Sequence, residues 1–188
     1  MYYVIHTMTG EENKLLDRIG SHINKKTFED IFVPVRKREK KVEGKWTLIE
    51  ERWFPGYIFV ETSTPIEFVA ELNKLEGYKR LVGYRNERLE KITYIPLSPW
   101  EEMYLNKLLR RDAVNKSKTV DLSKVVIEPG KEVKVIDGPL FGMDATMVDF
   151  DLHKRVATIS FKMFGQDIEA KVGIDIVIEK DDINYEIK

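Results

Sequence analysis

The chain has 188 residues, 43% hydrophobic and 34% charged, with a formal net charge of −1, the composition of a soluble globular protein with room for one ordinary domain or two small ones. It contains no cysteine, which excludes disulfide staples and thiolate metal sites and fits a reducing compartment. No run approaches the roughly 18 apolar residues of a membrane helix, and Met1-Tyr2-Tyr3-Val4 carries no basic segment leading into an apolar run, so a cytoplasmic protein without a membrane partner is expected.

Met1–Thr7 alternates as a strand does, and Thr9 with Glu12 reads as a capping box opening a helix whose apolar face is Leu15, Leu16, Ile19 and Ile23. Asp30–Lys41 and Trp46–Arg52 read as a hairpin turning near Glu43-Gly44. The strand at 56–61 follows the Pro55-Gly56 turn. Because successive strand side chains alternate in direction, Tyr57 and Phe59 share one face and Ile58 and Val60 the other. The aliphatic face suits the core of the chain; the aromatic one needs a cover, either a helix of the same chain or a partner. Thr64-Pro65-Ile66-Glu67 carries a helix start signal, with Phe68, Val69, Leu72 and Leu75 as its buried stripe. Ser98-Pro99-Trp100-Glu101 repeats that signal for a helix running to about Arg111.

Asp112–Glu128 mixes polar and charged residues without sustained periodicity and reads as a flexible linker. Short alternating strands follow at Glu132–Ile136, Thr146–Phe150, Ala157–Lys162, Gln166–Lys171 and Ile174–Ile178. The turn signals between them, Asp137-Gly138-Pro139, Asp151–Lys154 and Phe164-Gly165, predict a small closed five-stranded β-barrel filled by Ile136, Val148 and Ile159. The expected division is a domain at 1–111, a linker at 112–128, a barrel at 129–180 and a tail at 181–188. The fold class is α+β. Charge divides unevenly: residues 1–111 hold 20 Lys+Arg against 17 Asp+Glu, net +3, whereas residues 129–188 hold 8 against 12, net −4. Any nucleic-acid contact in the second part is therefore a local patch.

Catalysis finds little support. His6, His22 and His153 show no metal-ligand or triad spacing, and there is no phosphate-binding glycine loop, HExxH or dinucleotide fingerprint. Most carboxylates sit in helix first turns or on solvated faces. No enzyme, cofactor or metal is expected.

Three groups are candidates for binding. Arg36, Lys37, Arg38, Lys40 and Lys41 place five cations in six residues on the first hairpin. They read either as charge that defends an edge strand or as a phosphate-contacting arm. On the third helix Trp100, Met103, Tyr104 and Leu108 fall at helical spacing beside Leu105 and Leu109, so that helix has more than one face to bury. In the second part His153, Lys154 and Arg155 fall in one turn and Lys162, Phe164 and Gln166 around another. Two such loops at one barrel end can grip RNA through phosphates and a stacking side chain.

The order of the short motifs resembles the NusG family of transcription elongation factors over about nine tenths of the chain. The resemblance rests on Tyr2-Tyr3-Val4-Ile5-His6-Thr7 with Thr9-Gly10-Glu11-Glu12, Phe32-Val33-Pro34, Phe54-Pro55-Gly56-Tyr57, Ile95-Pro96-Leu97-Ser98, and Gly130-Lys131-Glu132-Val133 with Asp137-Gly138-Pro139, which looks like a KOW motif. It implies an NGN-type antiparallel sheet with three helices, joined to a KOW SH3-like barrel. It also implies that an apolar depression around Phe54, Pro55, Tyr57 and Phe59 grips the clamp helices of the RNA polymerase largest subunit. Placing Met103, Tyr104 and Leu108 in that surface is an inference from helical spacing. Asp137-Gly138-Pro139-Leu140-Phe141-Gly142-Met143 and Ala145 look more like the specialised paralogs, especially LoaP, which implies antitermination through a hairpin in nascent leader RNA. The expected protein is a monomeric processive antiterminator. A general NusG whose KOW domain binds ribosomal protein or Rho, a ribosome-associated KOW protein and an unrecognised enzyme remain the alternatives, and ribosomal protein or other Nus factors are further candidate partners.

Overall fold

The computed structural model describes residues 1–86, 91–128, 132–143, 146–163 and 166–177. In chain order its elements begin with β1 (Tyr2–Thr7), α1 (Glu12–His22), a 3-10 turn (Lys25–Thr27), β2 (Asp30–Phe32), β3 (Val35–Val42), β4 (Lys45–Arg52), β5 (Tyr57–Glu61) and α2 (Pro65–Leu72). There follow β6 (Lys79–Leu81), β7 (Gly83–Asn86), β8 (Lys91–Tyr94), α3 (Pro99–Leu109), β9 (Thr119–Val120) and β10 (Ser123–Ile127). The last four are β11 (Val133–Asp137), β12 (Met147–Asp151), β13 (Val156–Met163) and β14 (Gln166–Ile176). No described helix is long and apolar enough to cross a membrane.

Two compact units result, one built from Met1–Val35 with Arg52–Asn106, the other from Arg36–Glu51 with the chain from Lys107 onward. The first contains a sheet in the order β2-β5-β1-β6. Antiparallel register sets Val4 against Phe59, His6 against Tyr57 and Phe32 against Phe59. Tyr3, Ile5, Ile58 and Val60 turn the other way and pack with Leu15, Ile19, Phe68 and Leu72 of α1 and α2. The aliphatic face therefore makes the core, as its alternation requires. β6, β7 and β8 lie in a stretch whose periodicity marked no strand.

The second unit has a sheet in the order β11-β10-β14-β13-β12, with β3 and β4 in a separate sheet ordered β4-β3-β9. The expectation of five strands holds, but their identities differ. The presumed linker supplies β10, which runs parallel to β14 with Ser123 opposite Ile174 and antiparallel to β11. The two last expected strands are one strand, β14, whose start pairs with β13 and whose end pairs with β10, so a single strand carries the curl of the sheet. Ile159 is buried as expected, but Ile136 and Val148 are exposed, and Val135, Val172 and Ile174 are buried instead. Periodicity located those strands but missed two of the three barrel-filling residues: in β11 the phase is off by one residue, so Val135 is buried and Ile136 is not, and in β12 Val148 falls at an irregularity of register between Met147 and Asp149.

Local signals also differ in outcome. Ser98 and Glu101 form a reciprocal capping box, the Glu101 N–H donating to Ser98 Oγ at 3.3 Å and the Ser98 N–H to Glu101 Oε2 at 2.6 Å. Pro65 opens α2, but Thr64 makes no side-chain cap. α1 starts after Glu11 without a side-chain cap, so the Thr9 capping box is not formed. Its glutamate is used elsewhere.

Candidate functional site

Phe54, Pro55, Gly56 and Tyr57 form the turn into β5, closed by the Tyr57 N–H donating to the Phe54 carbonyl at 3.2 Å. Gly56 has φ +85°, and a Cβ there would stand 3.2 Å from the Thr7 carbonyl oxygen, so backbone angle and close approach both call for glycine. Each polar group of Gly56 is bonded: its carbonyl accepts from the Thr7 N–H at 2.8 Å and its N–H donates to Glu12 Oε1 at 2.7 Å. Glu12 Oε2 accepts from the Gly10 N–H at 2.8 Å and lies 3.0 Å from Arg52 Nε. Burial alone would push this carboxyl up; the N–H donors of Gly56, Glu12 itself and Gly10, with the Arg52 charge, outweigh it and hold Glu12 below the usual carboxylate range.

Behind the turn an aromatic row runs through the first unit. Tyr2 meets Phe32 edge-on at 6.1 Å, Phe32 stacks on Phe59 at 5.8 Å, Phe59 lies 6.0 Å from Phe54, and Phe54 4.5 Å from buried Trp53. This corrects the expectation that Phe59 faces a partner: at 1% exposure it is covered by its own chain. Tyr2, on the same face, donates from its N–H to Glu102 Oε1 and from its hydroxyl to Asn106 Oδ1, which fastens α3 to that side. Leu108 is likewise 1% exposed and contributes to packing, whereas Trp100 and Met103 are 72% and 49% exposed and Tyr104 is half-buried. What reaches solvent at the Pro-Gly turn is Pro55, with half-buried Phe54 and Tyr57. Tyr57 packs on His6 at 5.1 Å, and His6 on exposed Tyr78 at 5.7 Å.

The basic hairpin turns at Glu43 and Gly44, both with positive φ, as expected. It does not present a uniform cationic arm. Arg36 and Arg38 both pair with Glu51, the latter at 2.9 Å, and Arg36 also donates to the Lys171 carbonyl at 2.6 Å. Lys37 pairs with Asp121 at 2.8 Å, and that hydrogen bond and charge hold it above the ordinary lysine value. Lys40 and Lys41 are the exposed members. The hairpin backbone lies so close to β14 that a Cβ on Gly173 would fall 2.3 Å from the Lys37 carbonyl oxygen.

Arg155 is drawn into the same arrangement. It pairs with Glu39 and places its guanidinium 4.2 Å from the Trp46 ring centroid. His153 and Lys154 are exposed, the latter paired with Asp151 at 2.9 Å. Lys162 and Gln166 are exposed near the turn where Met163 pairs with Gln166; Phe164 lies outside the described residues. The idea that both loops share one end is corrected by topology. Arg155 precedes β13 and Lys162 is its last residue but one, seven steps along an extended strand, so about 23 Å at 3.3 Å per step separates them. At the Gly138-Pro139 turn, Gly138 has φ +101° and a Cβ would meet Ser123 Cα at 2.5 Å. The neighbouring Leu140 N–H donates to Ser123 Oγ at 3.0 Å.

Sequence reasoning missed Glu12, Glu39, Trp46 and Ser123 because their partners are distant along the chain. A buried glutamate beside Gly10 had a visible signal, the Thr-x-x-Glu spacing, but that spacing pointed to a cap.

Residues 1–103 match a protein-family profile described as "Transcription termination factor nusG". The transcription termination/antitermination protein NusG of Bacillus subtilis is 25% identical over 170 residues, covering 88% of this chain and 90% of that one. Its namesake from Xylella fastidiosa is 27% identical over 183 residues, covering 88% and 91%. A solved structure entitled "Domain interaction in Thermotoga maritima NusG" aligns over 92% of each chain with TM-score 0.50 and 19% identity, a likeness of fold.

Proposed function

Because this chain belongs to the NusG family, we propose that it is a processive transcription antiterminator that holds RNA polymerase through its first unit and a hairpin in nascent leader RNA through its second. Proteins of the family are transcription termination and antitermination factors that interact with RNA polymerase, and they are not enzymes. The observation that carries the polymerase half is the Pro55 turn, where an exposed proline and two half-buried aromatics stand on a sheet whose opposite face is core. Apolar groups held rigidly at a surface bind a complementary apolar surface with little ordering cost. The clamp helices of the polymerase largest subunit are the partner this reading names. Phe54, Pro55 and Tyr57 are its contacts in this reading, exposed Met103 and half-buried Tyr104 of α3 are proposed as further members of the surface, and Phe59 packs behind Phe54 at 6.0 Å.

The RNA half rests on Lys162 and Gln166, exposed at the β13–β14 turn, and on the LoaP-like Asp137–Met143 turn. An acidic unit is a poor nonspecific binder, so its RNA is selected by shape and a few contacts. Joining two modest sites in one chain raises avidity through effective concentration. A second reading, a general NusG whose KOW sheet binds a ribosomal protein or Rho, is favoured by one observation: three hairpin cations and Arg155 are paired internally. Titrating the full chain against core polymerase, a structured leader RNA and a scrambled control separates the two. Preference for the structured RNA supports the antiterminator; equal or absent RNA binding with intact polymerase binding supports the general factor.

A further inference from the structure

The structure assigns Glu12 a role as positioning residue for the Phe54–Tyr57 turn, its carboxylate fixing the angle at which Phe54, Pro55 and Tyr57 are presented to the polymerase; this rests on the polymerase reading above. Glu12 is 0% exposed, although a helix first turn usually leaves a glutamate in solvent. Its two oxygens divide the work. Oε1 takes the Gly56 N–H at 2.7 Å from 44 residues away, and Oε2 takes the Gly10 N–H at 2.8 Å while lying 3.0 Å from Arg52 Nε. One side chain thus ties the β1–α1 loop, the end of β4 and the Pro-Gly turn to a single point.

The rings on either side are held by packing, Phe54 against Trp53 and Phe59 and Tyr57 against His6, and the Tyr57 N–H closes the turn on the Phe54 carbonyl; the Gly56 peptide between them depends on backbone bonds. Gly56 at φ +85° has no side chain to lock it, and its remaining backbone bond runs to Thr7. Removing the carboxylate frees the Gly56 N–H in a buried place, so the peptide rotates toward solvent and carries the flanking Phe54, Pro55 and Tyr57 with it. A carboxylate suits this position because both oxygens accept. Glutamine offers one accepting oxygen, and its NH2 group would meet an N–H donor or the Arg52 guanidinium head-on. Aspartate is one methylene shorter and reaches only one of the two amides.

The test compares full-length wild-type protein with Glu12→Gln, Arg52→Gln and the Phe54→Ala/Tyr57→Ala double variant, each titrated against core RNA polymerase. Amide exchange at Gly10 and Gly56 is followed by NMR. For Glu12→Gln the expected result is polymerase affinity lower by about tenfold, the loss of one charge-assisted bond, with faster Gly56 exchange and α1 and β1 amides still protected. If that variant does not fold, Arg52→Gln carries the test, with Gly56 exchange accelerated and affinity down by about threefold through a loosened carboxylate. Unchanged affinity, or lower affinity with Gly56 exchange unchanged, in the variant that folds overturns the positioning role. The double variant reports on the premise: if it binds polymerase as well as wild type does, the turn is not the polymerase surface and the premise fails, whatever Glu12 does.

Discussion

Replacing Gly173 by alanine puts a methyl carbon 2.3 Å from the Lys37 carbonyl oxygen, 2.6 Å from Leu122 Cδ2 and 2.9 Å from Arg38 Cα. Leu122 offers the end of a side chain, which can rotate away. The other two atoms are β3 backbone, and restoring ordinary contact near 3.5 Å requires β3 to retreat by about 1 Å. That retreat draws on bonds nearby: the Arg36 bond to the Lys171 carbonyl, and the Arg155 pair with Glu39, whose backbone is tied to the same place by Ile174 N–H donating to the Arg155 carbonyl at 3.0 Å. Overpacking of this kind costs about 1–3 kcal/mol, and weakening a bond to a charged group adds about 1 kcal/mol or more, so the second unit should lose about 3 kcal/mol. Hydrogen exchange read by mass spectrometry should show faster exchange in Arg36–Glu51 and β14, with β1 and β5 unchanged. Gly20→Ala is the control. It sits within α1 with nothing within 4 Å of the added carbon, so it should stabilise by about 0.5–1 kcal/mol. If Gly173→Ala leaves the urea midpoint and hairpin exchange at wild-type values, the close approach of β3 to β14 is wrong.

Phe59→Ala should lower the stability of the first unit by about 3–5 kcal/mol through cavity formation, visible as a lower urea midpoint; a variant of wild-type stability with weakened polymerase binding would return Phe59 to the surface. Because the folded Glu12 carboxyl is held below its ordinary value, its contribution is fully present at neutral pH and is lost as pH falls through the depressed folded value. Urea midpoints measured from pH 7 down to the acid range should therefore fall less steeply in Glu12→Gln than in wild type. Replacing Lys40 and Lys41 by glutamine should flatten the salt dependence of RNA binding by about 0.7 per phosphate contact removed, with no change in melting. Lys37→Gln, by contrast, should loosen the hairpin through Asp121; an equal loss of salt slope in both would show that Lys37 is available to RNA.

Patterns within about ten residues were enough to determine much of this protein. Alternation placed Ile58 and Val60 in the core, the Ser98–Glu101 spacing formed its capping box, Glu43-Gly44 made its turn, and the order of short motifs pointed to the family that the profile match over residues 1–103 establishes. The first three depend on neighbours along the chain, whose geometry is set by local φ/ψ and side-chain direction; the motif order is read across the whole chain without any geometry. Only the tertiary structure decided what the distant chain does to those neighbours. β10 exists as a strand because β11 and β14 take up its backbone groups, so a polar, aperiodic segment became a central strand. The aromatic side of β5 closed over Phe59 because Phe32, Phe54 and neighbouring groups cover it. Arg155 met Glu39 across 116 positions, and Glu12 met Gly56 across 44. A buried charge is satisfied by whichever donor the fold brings near, and sequence separation carries no information about that distance.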